Sequence, residues 1–459
     1  MTFNSANSAH HPLRILQIVP SISLIYGGPS QMVLGLSAAL ANLGVEVTII
    51  TTDANGDEDQ SPLEVTLQEP ISQDGYEIIY FPCAPWRRYK FSWQLWQWLW
   101  HNAHHYDVAH IHALFSPVST GSATIARLRH LPYILRPLGT LDPIDLQKKK
   151  YLKQIYGWLW ERSNLQGAAA VHFTSQQEAA TAHRFGAKTK DVVLPLGVKP
   201  PFNLDLLADL TPEKVSVIPA FVTNSSVTNS RENPLILFLS RLDRKKGLDL
   251  LIPALEDLLA EGWKFHFVLA GTNPQDQRYE SQIKTQITHS PLGKSTIITG
   301  FVTGQYKQQL LQQADILVLP SYYENFGIAV AEAMIVGTAV VISDQVQIWQ
   351  EVASAEAGWI CRCDRSSLTA QIRAALGNEL ERQQRGKNAQ RYAWQNYRWE
   401  AIAQRTQQLY QNIAQHSPRE ATLEIGESIY GTRGLSPLPV EQPIKNPPPE
   451  EERDIDHLI

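Results

Sequence analysis

The chain has 459 residues, 43% of them hydrophobic and 19% charged, enough for two or three folded domains with sizeable cores. Its formal net charge of −5 leaves no basic footprint, so nucleic acid is not an expected partner. The three cysteines, Cys83, Cys361 and Cys363, form neither a CxxC pair nor a disulfide framework, which favours a reducing compartment.

The first twelve residues are polar and lack the basic and apolar regions of a signal peptide. The stretch from Ile15 to Ile25 is broken by Gln17, Pro20 and Ser21, and no run approaches the ~20 apolar residues of a membrane span. A cytoplasmic protein is expected. Arg14 to Pro20 reads as a first strand, Gly27-Gly28-Pro29 opens a helix to about Leu43, and Val45 to Thr51 is a second strand. Strand, glycine loop, helix and strand begin a doubly wound sheet. The glycine pair suits an anion cradle and equally a turn needing positive φ.

From Asp53 to Glu77 there are eight acids and no Lys or Arg, which predicts a solvated insertion. Tyr76 to Pro82 resumes the sheet. Trp93, Trp96, Trp98 and Trp100 then fall on a helix preceded by Arg87, Arg88 and Lys90, with Trp93, Trp96 and Trp100 on one face. A second basic, aromatic stretch runs from Lys148 to Trp160. Both suit a membrane interface, and both suit ordinary packing. Asp107 to His112 is a strand with His110 and His112 on one face. His112 falls near the carboxyl end, where open α/β sheets bind ligands, and no third residue accompanies the pair at metal spacing. Further strands are expected at Tyr133 to Arg136, Ala169 to Thr174 and Asp191 to Pro195.

The rhythm lapses after about Pro200, and residues 206–234 read as a polar linker. A second α/β alternation starts at Leu235. The expected organisation is α/β: a Rossmann-like lobe over 13–205, a second over 235–396, a cleft between them, a helix at 397–415, and a proline-rich, acidic, disordered tail over 416–459.

Two stretches of the second lobe carry chemistry. In Ser321-Tyr-Tyr-Glu-Asn-Phe-Gly-Ile-Ala-Val-Ala-Glu332 a strand feeds a helix through Gly327, aiming free N–H groups and the helix dipole at one point, which suits a phosphate. Glu324 lies in the loop and Glu332 roughly 7–8 Å along the helix. Carboxylates beside a phosphate site are good acceptors for sugar hydroxyls, so a nucleotide sugar fits, although each acid also reads as a solvated surface residue. In Leu237 to Leu251, a strand end delivers Arg241, and Lys246 follows before Gly247 opens a helix. A guanidinium fork and an ammonium five residues apart can face one diphosphate. Gly293-Lys294-Ser295 fails as a P-loop, because a strand follows it. The acidic pairs Asp57/Asp59 and Asp454/Asp456 lie in the insertion and the tail. No GxGxxG is present, and no metal site is expected.

Taken together, Ser240-Arg-Leu-Asp-Arg-Lys-Lys-Gly247, the Glu-x7-Glu stretch 324–332 with its Asn-Phe-Gly, and the Gly27-Gly28 loop resemble the retaining GT-B glycosyltransferases of family 4 over residues 13 to about 415. The resemblance implies that Arg241 and Lys246 bind the donor diphosphate. Glu324, with the backbone N–H groups of Asn325, Phe326 and Gly327, would hold the donor hexose. Glu332 would hold the ribose and Val302 the base through its backbone. His112 would stand near the reacting sugar, and Gly27 and Gly28 beside the phosphates. It implies no cofactor and no metal, a UDP-, GDP- or ADP-sugar donor, and hexosyl transfer to a polysaccharide or lipid-linked glycan. The Trp/Lys segments near 93–100 and 148–160 separately motivate a peripheral membrane contact at the inner face. A nucleotide-sugar epimerase, or a catalytically silent donor-binding protein on the same fold, remains an alternative. Gly337-Thr-Ala-Val-Val341 departs from the family's Gly-x-Pro-Val-Val, which touches only a turn.

Overall fold

The computed structural model describes residues 12–23, 28–56, 61–84, 90–147, 150–200 and 233–416. The expected linker and tail therefore fall outside the described residues, except for 233–234 and His416. The first lobe holds β1 (Arg14–Ile18), β2 (Glu46–Thr52), β3 (Pro70–Gln73), β4 (Tyr76–Phe81), β5 (Val108–His112), β6 (Tyr133–Arg136), β7 (Ala170–Phe173) and β8 (Asp191–Val193). They form one sheet in the order β3-β4-β2-β1-β5-β6-β7-β8, parallel except for β3 against β4. The second lobe holds β9 (Leu235–Leu239), β10 (His266–Ala270), β11 (Thr296–Gly300), β12 (Ile316–Leu319), β13 (Ala339–Ser343) and β14 (Gly358–Cys361). Its sheet runs β11-β10-β9-β12-β13-β14, all parallel.

The strand sequences follow from this burial. Leu235-Ile-Leu-Phe-Leu239 is apolar throughout because helices cover both faces of a parallel sheet. The helix Leu248–Ala260 buries Leu248, Leu251, Ile252, Leu255 and Leu258, one stripe at helical spacing, and keeps its acids, Asp249, Glu256 and Asp257, off that stripe. In each sheet the chain winds one way and then the other. The reversal falls between β1 and β5 in the first lobe and between β9 and β12 in the second. Ligands of open α/β sheets bind outside the carboxyl ends of such strand pairs.

The acidic stretch 53–77 is not a free insertion over its described part. Asp53 is buried and its carboxylate accepts the Cys83 N–H at 2.8 Å. Pro70–Gln73 adds an antiparallel edge strand, where nearby Glu69 and Asp74 discourage pairing with another chain. The helix Trp399–Gln415 packs on the first-lobe helix Gly28–Ala41 and sends Tyr410 into that lobe's core. Among the described residues no helix is long and apolar enough to cross a membrane.

Candidate functional site

Because β9 and β12 are neighbours, the loops that leave their carboxyl ends are neighbours too. Gly247 lets them touch. Its φ is +72°, and a Cβ there would stand 2.0 Å from the Pro320 carbonyl oxygen. The Tyr322 N–H donates to the Lys245 carbonyl at 2.8 Å, closing the contact. Lys246 is thereby buried and ion-paired with the partly buried Glu324. The Glu324 backbone is fixed from the far side: its N–H donates to Gln345 O at 3.1 Å and its carbonyl accepts from Gln347 N–H at 3.0 Å. Burial would push the Glu324 carboxyl up. Lys246, with Lys245 and Arg241 beyond it, holds it below the ordinary range instead. Burial and the neighbouring Lys246 charge lower the Lys245 amine. Arg241 is exposed at the end of β9. Three cations thus surround one carboxylate, leaving surplus positive charge.

The helix Ile328–Val336 begins at Gly327, whose φ is +79°. Phe326 is buried edge-on against the Tyr397 ring, centroids 5.4 Å apart. Farther along the helix, Glu332 is paired with Lys307 at 2.5 Å. Across the interlobe space, the first-lobe helix also begins close by, since a Cβ on Gly28 would lie 2.7 Å from the Ile328 Cδ1. The N-termini of two helices therefore converge, each presenting the positive end of a helix dipole. An interlobe cavity of about 890 Å³ is walled in part by Lys307, Ile328, Glu332 and Trp399, but by none of Arg241, Lys246 and Glu324. Val302 is buried just beyond β11. Gly27 lies outside the described residues.

The first lobe meets the Glu324 loop through Asn325, whose Nδ2 donates to Thr174 Oγ1 at 3.4 Å. A Cβ on Gly139 would lie 2.9 Å from Tyr323 Oη and 3.2 Å from Asn325 Oδ1. Glu178 underpins that wall, accepting from the Gly139 N–H at 3.1 Å, the Thr174 N–H at 2.7 Å and the Thr174 hydroxyl at 2.8 Å.

His112 is wholly buried at the end of a hydrogen-bonded chain. The carbonyl of Leu194 can only accept, so His172 Nε2 donates to it at 2.8 Å, and neutral His172 must accept at Nδ1 from His110 Nε2 at 3.2 Å. His110 Nδ1 then accepts from the Tyr410 hydroxyl at 2.7 Å, which accepts from Gln17 Nε2 at 3.0 Å. Gln17 Oε1 accepts from His112 Nε2 at 2.7 Å. His112 Nδ1 is left as a bare lone pair with no partner among the described residues. All three imidazoles are held neutral: burial lowers each pKa, and the Arg136 charge lowers each further, bringing His172 to about 3. Arg136, itself buried, is lowered to about 10 by burial, with Glu178 opposing.

Two family models tile most of the chain: "Glycosyl transferase 4-like domain" over residues 27–197 and "Glycosyl transferases group 1" over residues 223–392. The chain belongs to the group 1 glycosyltransferases. An uncharacterized glycosyltransferase of Methanocaldococcus jannaschii is 29% identical over 39% of this transferase and 45% of its own length. The gpi3 subunit of the phosphatidylinositol N-acetylglucosaminyltransferase of Schizosaccharomyces pombe is 28% identical over 46% of each. The transferase thus spans less than half the length of these curated relatives. Two solved structures share the fold: sucrose-phosphate synthase of Thermosynechococcus elongatus, with TM-score 0.64 and 22% identity over 87% of this chain and 99% of that one, and Anabaena HepE in complex with UDP and glucose, with TM-score 0.62 and 19% identity over 86% and 99%.

Among the residues singled out from the transferase's sequence, Lys246 and Glu324 are in contact, with Arg241, Asn325, Phe326 and Gly327 on the same two loops. Glu332 and Val302 stand apart from that contact on the second lobe, while Gly28 and His112 belong to the first. Sequence reasoning passed over Lys307, Glu178 and Thr174, and treated Gln17 only as a break in an apolar run. Lys307 precedes Glu332 by 25 residues, a spacing that signals nothing by itself. Gln17 and His112 are 95 apart. A polar residue inside a buried strand was the one available clue, because such a group needs a partner.

Proposed function

We propose that this glycosyltransferase moves a hexose from a nucleotide-diphosphate sugar to a hydroxyl of a growing polysaccharide or lipid-linked glycan, retaining the anomeric configuration. The observation that carries the reading is the Lys246–Glu324 contact at the adjoining ends of β9 and β12, with Arg241 beside it. Lys246 and Arg241 bind the donor diphosphate below the N-terminus of helix Ile328–Val336, and Gly28 lies on its other side. Glu324 and the N–H groups of Asn325, Phe326 and Gly327 hold the hexose. Glu332 exchanges Lys307 for the ribose hydroxyls, and Val302 meets the base through its backbone. The UDP bound by the Anabaena neighbour supports a uridine donor.

In the transfer, the C1–O bond to the leaving phosphate breaks as the acceptor oxygen bonds to C1. The acceptor proton passes to a leaving-phosphate oxygen on the same face. Burial makes His112 a poor base, and its buried Nδ1 lone pair, without a partner among the described residues, would accept from a sugar hydroxyl only where the cleft admits one. Fixed positive charge where the diphosphate departs is then the main source of acceleration. Lys246→Ala is expected to lower donor turnover about 10²–10³-fold while shifting the unfolding midpoint little. Turnover equal to wild type, measured across UDP-, GDP- and ADP-sugars, would sink the reading.

A further inference from the structure

The two aromatic, basic stretches have different fates in the fold. On helix Trp93–Asn102, Leu95 and Leu99 are buried, Trp96 meets Phe91 at 4.9 Å, and Trp98 sits between Phe81 and Tyr106. Only Trp93 and Trp100 of that group are exposed. The second stretch is inside out. Along 150–167 the inward face carries Gly157, Glu161 and Asn164, while Tyr151, Leu152, Ile155 and Trp158 are 60–80% exposed and Leu159 and Trp160 are exposed beside them.

That inward face is firmly seated, so the apolar exposure is not the mark of a loose segment. Glu161 accepts from the Phe115 N–H at 3.0 Å and the Thr120 hydroxyl at 2.6 Å, and the Tyr156 hydroxyl donates to Thr120 at 2.9 Å. The Asn164 amide donates to the Thr120 carbonyl at 3.0 Å. Gly157 lies so close to Phe185 that a Cβ would stand 2.5 Å from its ring. A π-turn over Gly157–Glu161 turns both ends of the turn inward and Trp158, Leu159 and Trp160 outward.

Charge decides what covers this face. From Leu146 to Gln177 the sequence holds five basic residues, Lys148, Lys149, Lys150, Lys153 and Arg162, and a single acid, the buried Glu161. Rings and branched aliphatic chains flanked by lysines, without exposed acids, match a bilayer interface with anionic headgroups. The seat also adjoins the cleft. Its inner partner Phe115 is three residues past His112, and the loop leading into it carries Gly139 against Tyr323 and Asn325.

We propose that residues 150–160 seat this protein on an anionic lipid bilayer, with the apolar stripe in the interface and Lys150 at the headgroups, beside the acceptor side of the cleft. The inference rests on the transferase reading for its direction, an acceptor carried at a membrane, but its test reads lipid binding alone. Wild-type protein is expected to co-sediment with phosphatidylcholine vesicles containing phosphatidylglycerol at low salt, and much less with pure phosphatidylcholine or at high salt. The triple variant Leu152→Ser, Ile155→Gln, Trp158→Gln should lose at least about tenfold in partition coefficient, and Lys150→Gln about fivefold. Unchanged UDP affinity in the triple variant would show that its fold and donor side are intact. Undiminished vesicle binding by the triple variant, or none by wild type, would overturn the proposal. So would equal binding to vesicles without the anionic lipid, or a wild-type dimer in sedimentation that the triple variant dissolves, which would assign the face to a second copy. Lipid binding by a protein without donor turnover would leave the seat standing and count against the transferase reading alone.

Discussion

At Gly247 two separate demands fall on one position: a left-handed φ and a gap too narrow for any Cβ beside the Pro320 carbonyl. The first costs roughly 1–2 kcal/mol for a residue with a side chain, and overpacking adds roughly 1–3 kcal/mol. Gly262 isolates the first cost, since its φ is +91° with nothing within 4 Å of an added Cβ. Gly247→Ala should therefore destabilise by about 2–5 kcal/mol in urea unfolding, and Gly262→Ala by only about 1–2 kcal/mol. Activity should separate them further, because only the first displaces Lys246 from Glu324. Equal losses of stability would mean that the Pro320 contact is not tight. The lysine and glycine were legible in the sequence as a basic turn; the carbonyl opposite, 73 residues later, was not, because only the β9–β12 pairing brings it there.

At the scale of strands and helices, the chain of imidazoles links β1, β5 and β7 to helix Trp399–Gln415 through Gln17, His110, His112, His172 and Tyr410. Unfolded histidine titrates near about pH 6.5, whereas these three stay neutral far below that, with Arg136 close by. Below about pH 6.5 the unfolded chain binds protons that the folded one refuses, so stability rises with pH. The contribution is complete above about pH 6.5 and is lost as pH falls toward about 3, where His172 itself charges. Once below about pH 6 the loss approaches about 1.4 kcal/mol per pH unit for each histidine. Glu161, pushed up by burial, acts in the opposite sense and trims the slope. Urea unfolding between about pH 7 and 5 should show this loss, and His172→Gln should reduce the slope by about one proton. An unaltered slope would mean that His172 is charged in the fold.

These elements also mark where sequence reading reached and stopped. Leu235 to Leu239 announced itself by unbroken apolar character, and His112 by its place at a strand end. The acidic stretch misled because composition cannot see an edge strand. Pro70–Gln73 has little apolar content and is held by its ladder with β4. Similarly, the lysine-aromatic helices looked alike as sequence, and only packing separated Trp98, sandwiched by Phe81 and Tyr106, from the exposed Trp158.

For the molecule as a whole, the chain's exit from the first lobe and its return run side by side. Val198 N–H donates to the Tyr397 carbonyl at 2.7 Å, and the Trp399 ring fills the space left by two glycines, Gly35 and Gly197. A Cβ would stand 2.5 Å from that ring at Gly35 and 2.1 Å at Gly197. Two residues upstream, Tyr397 packs on Phe326, next to the Glu324 loop, so the crossing and the candidate site share a wall. If Trp399 is the wedge that sets the spacing of the lobes, its cost and the glycine's must be coupled. Gly197→Ala alone should destabilise by roughly 1–3 kcal/mol through overpacking, and Trp399→Leu alone by roughly 3 kcal/mol through the cavity it leaves. Together they should cost at least about 1 kcal/mol less than the two added, because the methyl enters space the ring has vacated. A donor KM that recovers in the double variant relative to Gly197→Ala would extend the coupling to the cleft. Strict additivity of the two changes would remove Trp399 from that role, leaving the spacing to the Val198–Tyr397 backbone bond and the Asn325–Thr174 and Gly28–Ile328 contacts.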